Sequence, residues 1–359
     1  MSEKICIVGS GNWGTSIARI VGTNVLAHPK VFNARVDMWV FDEMVGSPPE
    51  SLVQVINKTN INVKSLPGFS IPSNVVAVAS LAEAVRGATL LVFVLPHQFL
   101  PKLFTPILEG LSATGTPLSS VRAISLIKGI DVNEKGLVLI SDTIRSGLGG
   151  SVDTSVLMGA NVADEVARGD FCEATVGYCA PEHAPTWKLV FETPYFQIAL
   201  SPDYKSVELC GALKNVVALG AGFCDGLGFG TNTKSAIMRI GLLEMISFTR
   251  KFYSADARLD TFFESCGVAD LITTCFGGRN RKCAAAFASA ATPRSWEDIE
   301  AELLGGQKLQ GTLTALEVAK VLENCGAVAQ FPLFSVIAKI TKGETPPSSI
   351  VKVAGVTSF

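Results

Sequence analysis

Six residues near the amino terminus, Gly9-Ser10-Gly11-Asn12-Trp13-Gly14, restrict what this chain can fold into more than any other stretch. They follow a short apolar run, Lys4–Val8, and precede the helical pattern of Thr15–Val21. A G-x-G-x-x-G placed between a strand and a helix is the fingerprint of a dinucleotide-binding βαβ unit. Each glycine has its own physical reason. Gly9 allows the tight turn, Gly11 leaves room for a pyrophosphate beside the backbone, and Gly14 lets the helix pack on the sheet. The helix then presents its first N–H groups to the phosphates, and Asn12 and Trp13 are counted with that turn as cofactor-binding candidates.

Alternating strands and helices continue through the first half. Strands are expected at Val36–Phe41, Asn74–Ala79, Ala88–Leu95, Val121–Ile127, Ser155–Gly159 and Tyr195–Leu200. Ser80 and Glu83 form a capping box that opens a short helix. Continuous apolar runs such as Ala88–Leu95 suit strands buried on both faces of a parallel sheet. The expectation is a Rossmann-type, doubly wound α/β domain over residues 1–202. In such sheets ligands lie at the carboxyl ends of strands, which singles out Phe41, Phe99, Lys128 and Asn161. Asp42 or Glu43 either meets a ribose hydroxyl or closes a solvated turn; two acids with no adjacent arginine favour NAD over NADP. His97 reads as an acid catalyst or as part of a cofactor-flanking turn with Pro96 and Phe99, while His28 and His183 stand in no such context.

Residues 203–359 read as helical. The stretch Lys205–Gly222 is an apolar helix with Leu209, Leu213 and Val216 on one stripe, and Gly211, Asn215 and Ala218 on a thin strip suited to close backbone approach. Lys214 projects from the apolar face. It either snorkels to water or sits in a pocket where desolvation lowers its pKa. Lys234–Tyr253 is a second long helix, and Phe262–Thr274 a third apolar segment that sets Asp270 among hydrophobes. Gly277-Gly278-Arg279-Asn280-Arg281-Lys282 opens an alanine-rich helix; exposed N–H groups and a forked guanidinium make it an anion site, or its cations face water as a basic cap. The loop Gly305–Gly311, with Lys308 and Gln310, is a cover for a bound cofactor or a plain connector.

Composition excludes other classes. Of 359 residues, 48% are hydrophobic and 17% charged, enough core for about two domains. A net charge of −2 provides no general attraction for nucleic acid or anionic membranes. No apolar run is read as approaching the ~20 residues that span a bilayer, and the amino terminus enters a strand with no leader pattern. Nine scattered cysteines without a CxxC pair suit a reducing compartment and give no metal site. A soluble cytoplasmic protein is expected.

Taken together, GSGNWGT, MWVFDE, LPHQF, SLIKG, GANVADEVA, ELCGALKNVVALGAGFCDGLGFGTNTK, ESCGVADLITTC, GGRNRK and GQKLQG resemble the NAD-dependent glycerol-3-phosphate dehydrogenases of the eukaryotic cytosolic type. The resemblance implies a Rossmann domain over 1–202, an all-α substrate domain over 203–359, and reversible oxidation of sn-glycerol 3-phosphate to dihydroxyacetone phosphate with NAD. It implies Lys128, Lys214 and Asp270 as catalytic residues, with Lys214 exchanging the hydroxyl proton. Gly9, Gly11, Asn12, Trp13, Gly14, Phe41, Phe99, Lys128, Ala163, Arg279, Lys308 and Gln310 would bind the cofactor. Lys128, Asn215, Thr274, Arg279 and Asn280 would bind the substrate, Arg279 and Asn280 at its phosphate. No metal, nucleic acid or membrane is implied, and the assembly suggested is a homodimer. Thr231 and Thr312-Leu313 depart from the family pattern at positions assigned no catalytic role. Alternatives are a related dehydrogenase of a non-phosphorylated hydroxy or amino acid, and a non-catalytic NADH sensor.

Overall fold

The computed structural model describes residues 2–133, 136–292, 294–305 and 308–352. Gly306 and Gln307 of the proposed cover loop, and the tail Val353–Phe359, lie outside the described residues. The chain forms two compact units. The first comprises Met1–Ile127, Ile140–Leu157 and Asn161–Tyr204; the second comprises Lys128–Leu139, Met158–Ala160 and Lys205–Phe359.

The first unit is built on β1 (Glu3–Val8), β2 (Phe32–Trp39), β3 (Val75–Val78), β4 (Leu90–Phe93), β5 (Arg122–Ser125), β6 (Asp153–Met158), β7 (Cys172–Gly177) and β8 (Phe196–Ser201). They form one sheet in the order β8-β7-β6-β5-β4-β1-β2-β3. The pairs β3–β2, β2–β1, β1–β4, β4–β5, β5–β6 and β7–β8 are parallel. The run 3-2-1-4-5-6 is the doubly wound Rossmann order, with two strands added beyond β6. Ile5, Cys6, Ile7 and Val8 stand between Val36–Trp39 and Leu90–Phe93. Alternate residues enter opposite cores: Ile5 and Ile7 join one cluster, Cys6 and Val8 the other.

Differences from the sequence reading concern edges and short elements. β2 begins at Phe32, because pairing with Glu3 and a register shift before Ile5 draw the strand back toward its amino end. β7 is an additional strand; its partly polar Cys172-Glu173-Ala174-Thr175 start carries no clear alternation. Helix α1 (Asn12–Ala27) already contains Asn12, Trp13 and Gly14. A second helix of this unit, α2, covers Ala163–Arg168.

The second unit contains α3 (Tyr204–Gly226), α4 (Thr231–Phe252), α5 (Asp270–Gly277), α6 (Arg279–Ser289), α7 (Trp296–Leu304), α8 (Gln310–Asn324) and α9 (Pro332–Thr341). Helix α3 is buried at every residue from Ser206 to Cys224, so it is a core helix with no solvent face. By length and composition alone it is apolar enough to cross a membrane, which corrects the sequence reading that no such run exists; its apolar window lies wholly inside the protein. The segment expected as one helix over Phe262–Thr274 is instead broken. A short helix, Leu259–Phe263, ends at the extended Glu264, and a π-helical turn, Ser265–Ala269, then runs directly into α5 at Asp270.

The close backbone approach on α3 falls only partly where expected, at Asn215, whose carbonyl a Cβ on Gly311 would meet at 2.8 Å. A Cβ on Gly211 would meet the Met158 side chain, with Sδ at 2.5 Å. Further backbone contacts are at Gly222, where a Cβ would stand 2.4 Å from the Arg281 carbonyl oxygen, and at Gly226, 2.3 Å from that of Ala285. Helix α6 therefore lies directly on these two glycines. On α4, buried Glu244 accepts the N–H groups of Leu333 (2.7 Å) and Phe334 (2.8 Å), capping the first turn of α9.

Two outcomes follow from this packing. Alanine gains ~1 kcal/mol over glycine inside a helix, but overpacking costs ~1–3 kcal/mol, and at Gly222 the obstacle is a backbone carbonyl. Gly222→Ala is expected to lower the urea unfolding free energy. Burial raises the Glu244 carboxyl to about 7, against the two capping N–H groups. The folded state then holds a proton that the unfolded state has released, so this contribution is complete below the ordinary glutamate pKa and is lost as pH rises through about 7. Unfolding free energy measured between pH 5 and 8 is expected to fall across that window, and Glu244→Gln should flatten the fall while lowering stability throughout.

Candidate active site

In the first unit the glycine turn has the geometry a pyrophosphate requires. Gly9 has φ +123°, and a Cβ there would lie 2.4 Å from the Val94 carbonyl oxygen; one on Gly14 would lie 2.5 Å from that of Gly9. At Gly11 a Cβ would meet nothing within 4 Å, so the space beside it is open. Helix α1 begins immediately after, with no side-chain cap and no acid in its first turn. These are the conditions for anion binding at a helix start, and the residues present fit a dinucleotide phosphate.

The turn is braced by a residue the sequence reading did not single out. Buried Asn62 donates to the Ser10 carbonyl and to Thr15 Oγ1, both at 2.9 Å, and Thr15 donates back to Ser10 at 3.1 Å. Nothing in the local sequence TNIN marks Asn62, because its role arises from a contact spanning 52 residues.

Phe41 and Phe99 are exposed by 73% and 49%. Phe41 follows β2 and Phe99 lies in the turn after β4, the two strands that flank β1. Unburied aromatic rings at strand ends are suited to cover a flat ligand. Asn12 donates to Asp164 at 3.1 Å, and Trp13 packs edge-on against Phe196 with ring centroids 6.3 Å apart. Ala163 opens α2 and accepts from Ser16 Oγ at 2.9 Å. Asp42 is engaged with Ser51 Oγ (2.8 Å) and the Val53 N–H (3.1 Å), which hold its carboxyl below the usual range. Glu43 pairs with Lys64. His183 pairs with Asp153 at 2.7 Å.

In the second unit four predicted residues meet. Lys214, 4% exposed, donates to Asp270 Oδ1 and to Thr274 Oγ1 at 2.8 Å. Lys128 donates to Asp270 Oδ2 at 3.1 Å and to the Gly159 carbonyl at 2.8 Å. Asp270, 2% exposed, thus bridges two ammonium groups. It is the first residue of α5, directly continuous with the π-helical turn Ser265–Ala269. The π-helical turn before it and the four-residue step to Thr274 place carboxylate and hydroxyl on one face. Burial pushes the Lys214 ammonium down to about 7; Asp270 opposes this and Lys128 adds to it. Of the two readings of Lys214, the pocket is what the structure shows.

Directly beside Lys214, Asn215 donates to the Gly211 carbonyl at 3.2 Å and accepts from Asn280 Nδ2 at 2.9 Å. Asn280 in turn accepts the Gly311 N–H at 3.0 Å. A Cβ on Gly311 would come within 2.8 Å of both Asn280 Oδ1 and the Asn215 carbonyl oxygen. Arg279, exposed, opens α6 beside Asn280; Gly278 precedes it and no side chain caps that helix. Arg281 does not face water alone: it pairs with Asp225.

Gln310 opens α8 between two anchored N–H groups, that of Gly311 on Asn280 and that of Leu309 on Glu300 Oε1 at 3.0 Å. Lys308 binds the other oxygen of buried Glu300 at 2.9 Å and is held above its usual pKa by it. The sequence reading missed Glu300, which is one of several acids in WEDIEAE with no local mark of its own. Among the described residues no cluster of three or more His, Cys, Asp or Glu side chains is able to hold a metal, and all nine cysteines are free thiols.

Chemically, the second unit offers a buried ammonium of lowered pKa held by a carboxylate and a hydroxyl, with amide groups and a guanidinium-bearing helix start nearby on the same elements. The first unit offers a dinucleotide cradle. Comparison with known proteins agrees with both. Residues 4–184 match the family described as NAD-dependent glycerol-3-phosphate dehydrogenase N-terminus, and residues 203–352 match its C-terminus. The chain is 52% identical over 340 residues to the cytoplasmic glycerol-3-phosphate dehydrogenase [NAD(+)] of Rattus norvegicus, covering 94% of this chain and 93% of the relative. The solved glycerol-3-phosphate dehydrogenase of Plasmodium falciparum superposes with a TM-score of 0.91 at 39% identity, over 100% of this chain and 97% of that one. The DsGPDH structure of Dunaliella salina gives 0.88 at 42% identity; 98% of this chain is covered, but only 60% of that longer one. With a Rossmann sheet, a helical partner unit and both halves of the family matched along nearly its whole length, the chain belongs to the NAD-dependent glycerol-3-phosphate dehydrogenase family.

Proposed function

We propose that this protein interconverts sn-glycerol 3-phosphate and dihydroxyacetone phosphate with NAD, Lys214 exchanging the hydroxyl proton and Arg279 holding the phosphate. The observation that carries the reading is Lys214 itself: an ammonium in a buried cluster with Asp270 and Thr274, lowered to about 7. A general acid or base works best when its pKa lies near the operating pH. NAD, when bound, accepts or supplies the hydride. Gly9, Gly11 and Gly14 receive its pyrophosphate, Phe41 and Phe99 flank it, and Ala163, Lys308 and Gln310 are further proposed contacts.

Lys214 has three N–H groups, and two go to Asp270 and Thr274. The third is the proposed donor to the substrate oxygen as the carbonyl becomes an alcohol, and in reverse the neutral amine takes the hydroxyl proton. Asp270 compensates the positive charge and fixes the direction of the amine. Lys128 contributes a second ammonium on the same carboxylate, raising the positive potential felt by a developing alkoxide. Asn280 and the first N–H groups of α6 join Arg279 at the phosphate, and Asn215 orients Asn280. Residues 1–202 are proposed to serve mainly the cofactor and 203–359 mainly the substrate, with Lys128 crossing over to the substrate and Lys308 and Gln310 to the cofactor. The names of relatives support a cytoplasmic setting, and the net charge of −2 supports partners other than nucleic acid or membranes. A homodimer is carried over from the family resemblance, and light scattering of the purified protein decides it.

The expected outcome for purified protein is NADH oxidation on addition of dihydroxyacetone phosphate; folded protein that binds NADH without turnover sinks the reading. Reduction needs protonated Lys214 and oxidation the neutral amine, so kcat/KM for reduction should fall above about pH 7, and that for oxidation should fall below it. Lys214→Ala is expected to lower turnover ~10²–10⁴-fold with NADH affinity retained. Arg279→Ala should raise KM for the phosphorylated substrate roughly ten- to a hundredfold, from the loss of charge-assisted hydrogen bonds. Equal losses of NADH affinity in the Lys214 variant count against its role.

A further inference from the structure

The residues proposed to grip phosphate, Arg279 and Asn280, lie in the first turn of a helix that no side chain caps. Their position is set by how α6 is seated on α3. Asn215, Gly222 and Gly226 lie seven and eleven residues apart from the first on one face of α3. At one end of that face Asn215 meets Asn280 at 2.9 Å. In the middle and at the far end the helices touch through backbone, Gly222 on Arg281 and Gly226 on Ala285. Contacts of this kind carry no direction of their own, and the Asn215–Asn280 bond fixes the register at one end of the face only.

A second directional bond is supplied by Asp225, at the carboxyl-terminal end of α3. Its Oδ2 accepts from Lys234 Nζ at 2.8 Å and from Arg281 Nε. Lys234, in the first turns of α4, is 7% exposed and lies over the Phe276 ring at 4.4 Å. Phe276 belongs to α5, which also carries Asp270 and Thr274. One carboxylate thus ties α3, α4 and the first turn of α6 together, and its cation partner rests on α5.

We propose that Asp225 is a positioning residue for phosphate recognition: by binding Arg281 and Lys234 together it fixes the first turn of α6 on Gly222 and Gly226, and so places Arg279 and Asn280 relative to Lys214 and Asn215. This rests on the functional reading above. It assigns Asp225 no contact with the substrate and no part in proton transfer. The consequence is selective, because a shift of α6 removes grip on a phosphate while Lys214, Asp270 and Thr274 lie on α3 and α5 and keep their own bonds.

The test compares dihydroxyacetone phosphate with unphosphorylated dihydroxyacetone for wild type, Asp225→Asn and Arg281→Gln, the last leaving the Asp225–Lys234 pair intact. Binding of inorganic phosphate to the NADH-loaded proteins is measured by calorimetry alongside. Both variants are expected to raise KM for dihydroxyacetone phosphate about tenfold or more, with kcat changed less, and to weaken phosphate binding by a similar factor. The loss of kcat/KM on dihydroxyacetone should be at least several-fold smaller. If Asp225→Asn fails to fold, Arg281→Gln alone decides. Equal losses on both substrates, or an unchanged KM in a folded variant, overturn the proposal. Should wild type turn over neither substrate, the functional reading falls, and the phosphate arm decides separately: weaker binding in the variants upholds the positioning role, and unchanged or absent binding overturns it.

Discussion

A lysine ammonium in the middle of a helix buried all round is the constraint on which the second unit depends. Leaving such a charge without partners costs far more than a domain's net stability. Asp270 answers it with a carboxylate that is itself paired with Lys128 and accepts from the hydroxyl of Thr274. The segment breaks at Glu264, and the π-helical turn Ser265–Ala269 runs on into α5, setting Asp270 and Thr274 one turn apart on the face that meets Lys214. The compromise between desolvation and pairing leaves Lys214 at about 7, the range in which a proton is both held and released.

Around that centre, glycines determine where helices come together. Gly222 and Gly226 admit the backbone of α6, and Gly311 admits Asn280 and the Asn215 carbonyl. Each brings a chemically useful group close to α3. Carboxylates then hold the pieces in register: buried Glu244 on the start of α9, buried Glu300 on the start of α8, and half-buried Asp225 on the start of α6. A shared logic runs through all three, since helix starts carry N–H groups without intrahelical partners or lie beside cations that need an anion. The first unit uses a neutral version of the same device, with Asn62 bracing the glycine turn through two hydrogen bonds.

Much of this was legible in the chain. Gly9, Gly11 and Gly14 predicted their own environments, because each restriction is local: a positive φ, an open space, a close helix-to-strand contact. The apolar strands β1 and β4 were equally plain, being buried on both faces. Strand β7 was not, as its first residues mix polar and apolar types without a period. The strip Gly211–Ala218 was right only in part, since small residues permit a close approach without specifying what approaches; Met158 fills the space at Gly211, Gly311 comes against the Asn215 carbonyl, and the backbone of α6 meets Gly222 and Gly226. The Asp42–Glu43 pair reads equally as a ribose contact or a turn, and the structure adds its bonds to Ser51, Val53 and Lys64, which no local pattern announces.

By itself the sequence determined the dinucleotide sheet, the helical second half, and the residue types able to do the chemistry, because periodicity and glycine placement act over a few neighbouring residues. Only the tertiary structure decided which of those residues meet. Lys214 and Asp270 are 56 residues apart and Lys128 and Asp270 142 apart, and no local pattern encodes such pairs. The charge state of Lys214 was undecidable for the same reason. Burial and a facing aspartate shift it in opposite directions, and their balance depends on depth and distance, which exist only once the chain has folded.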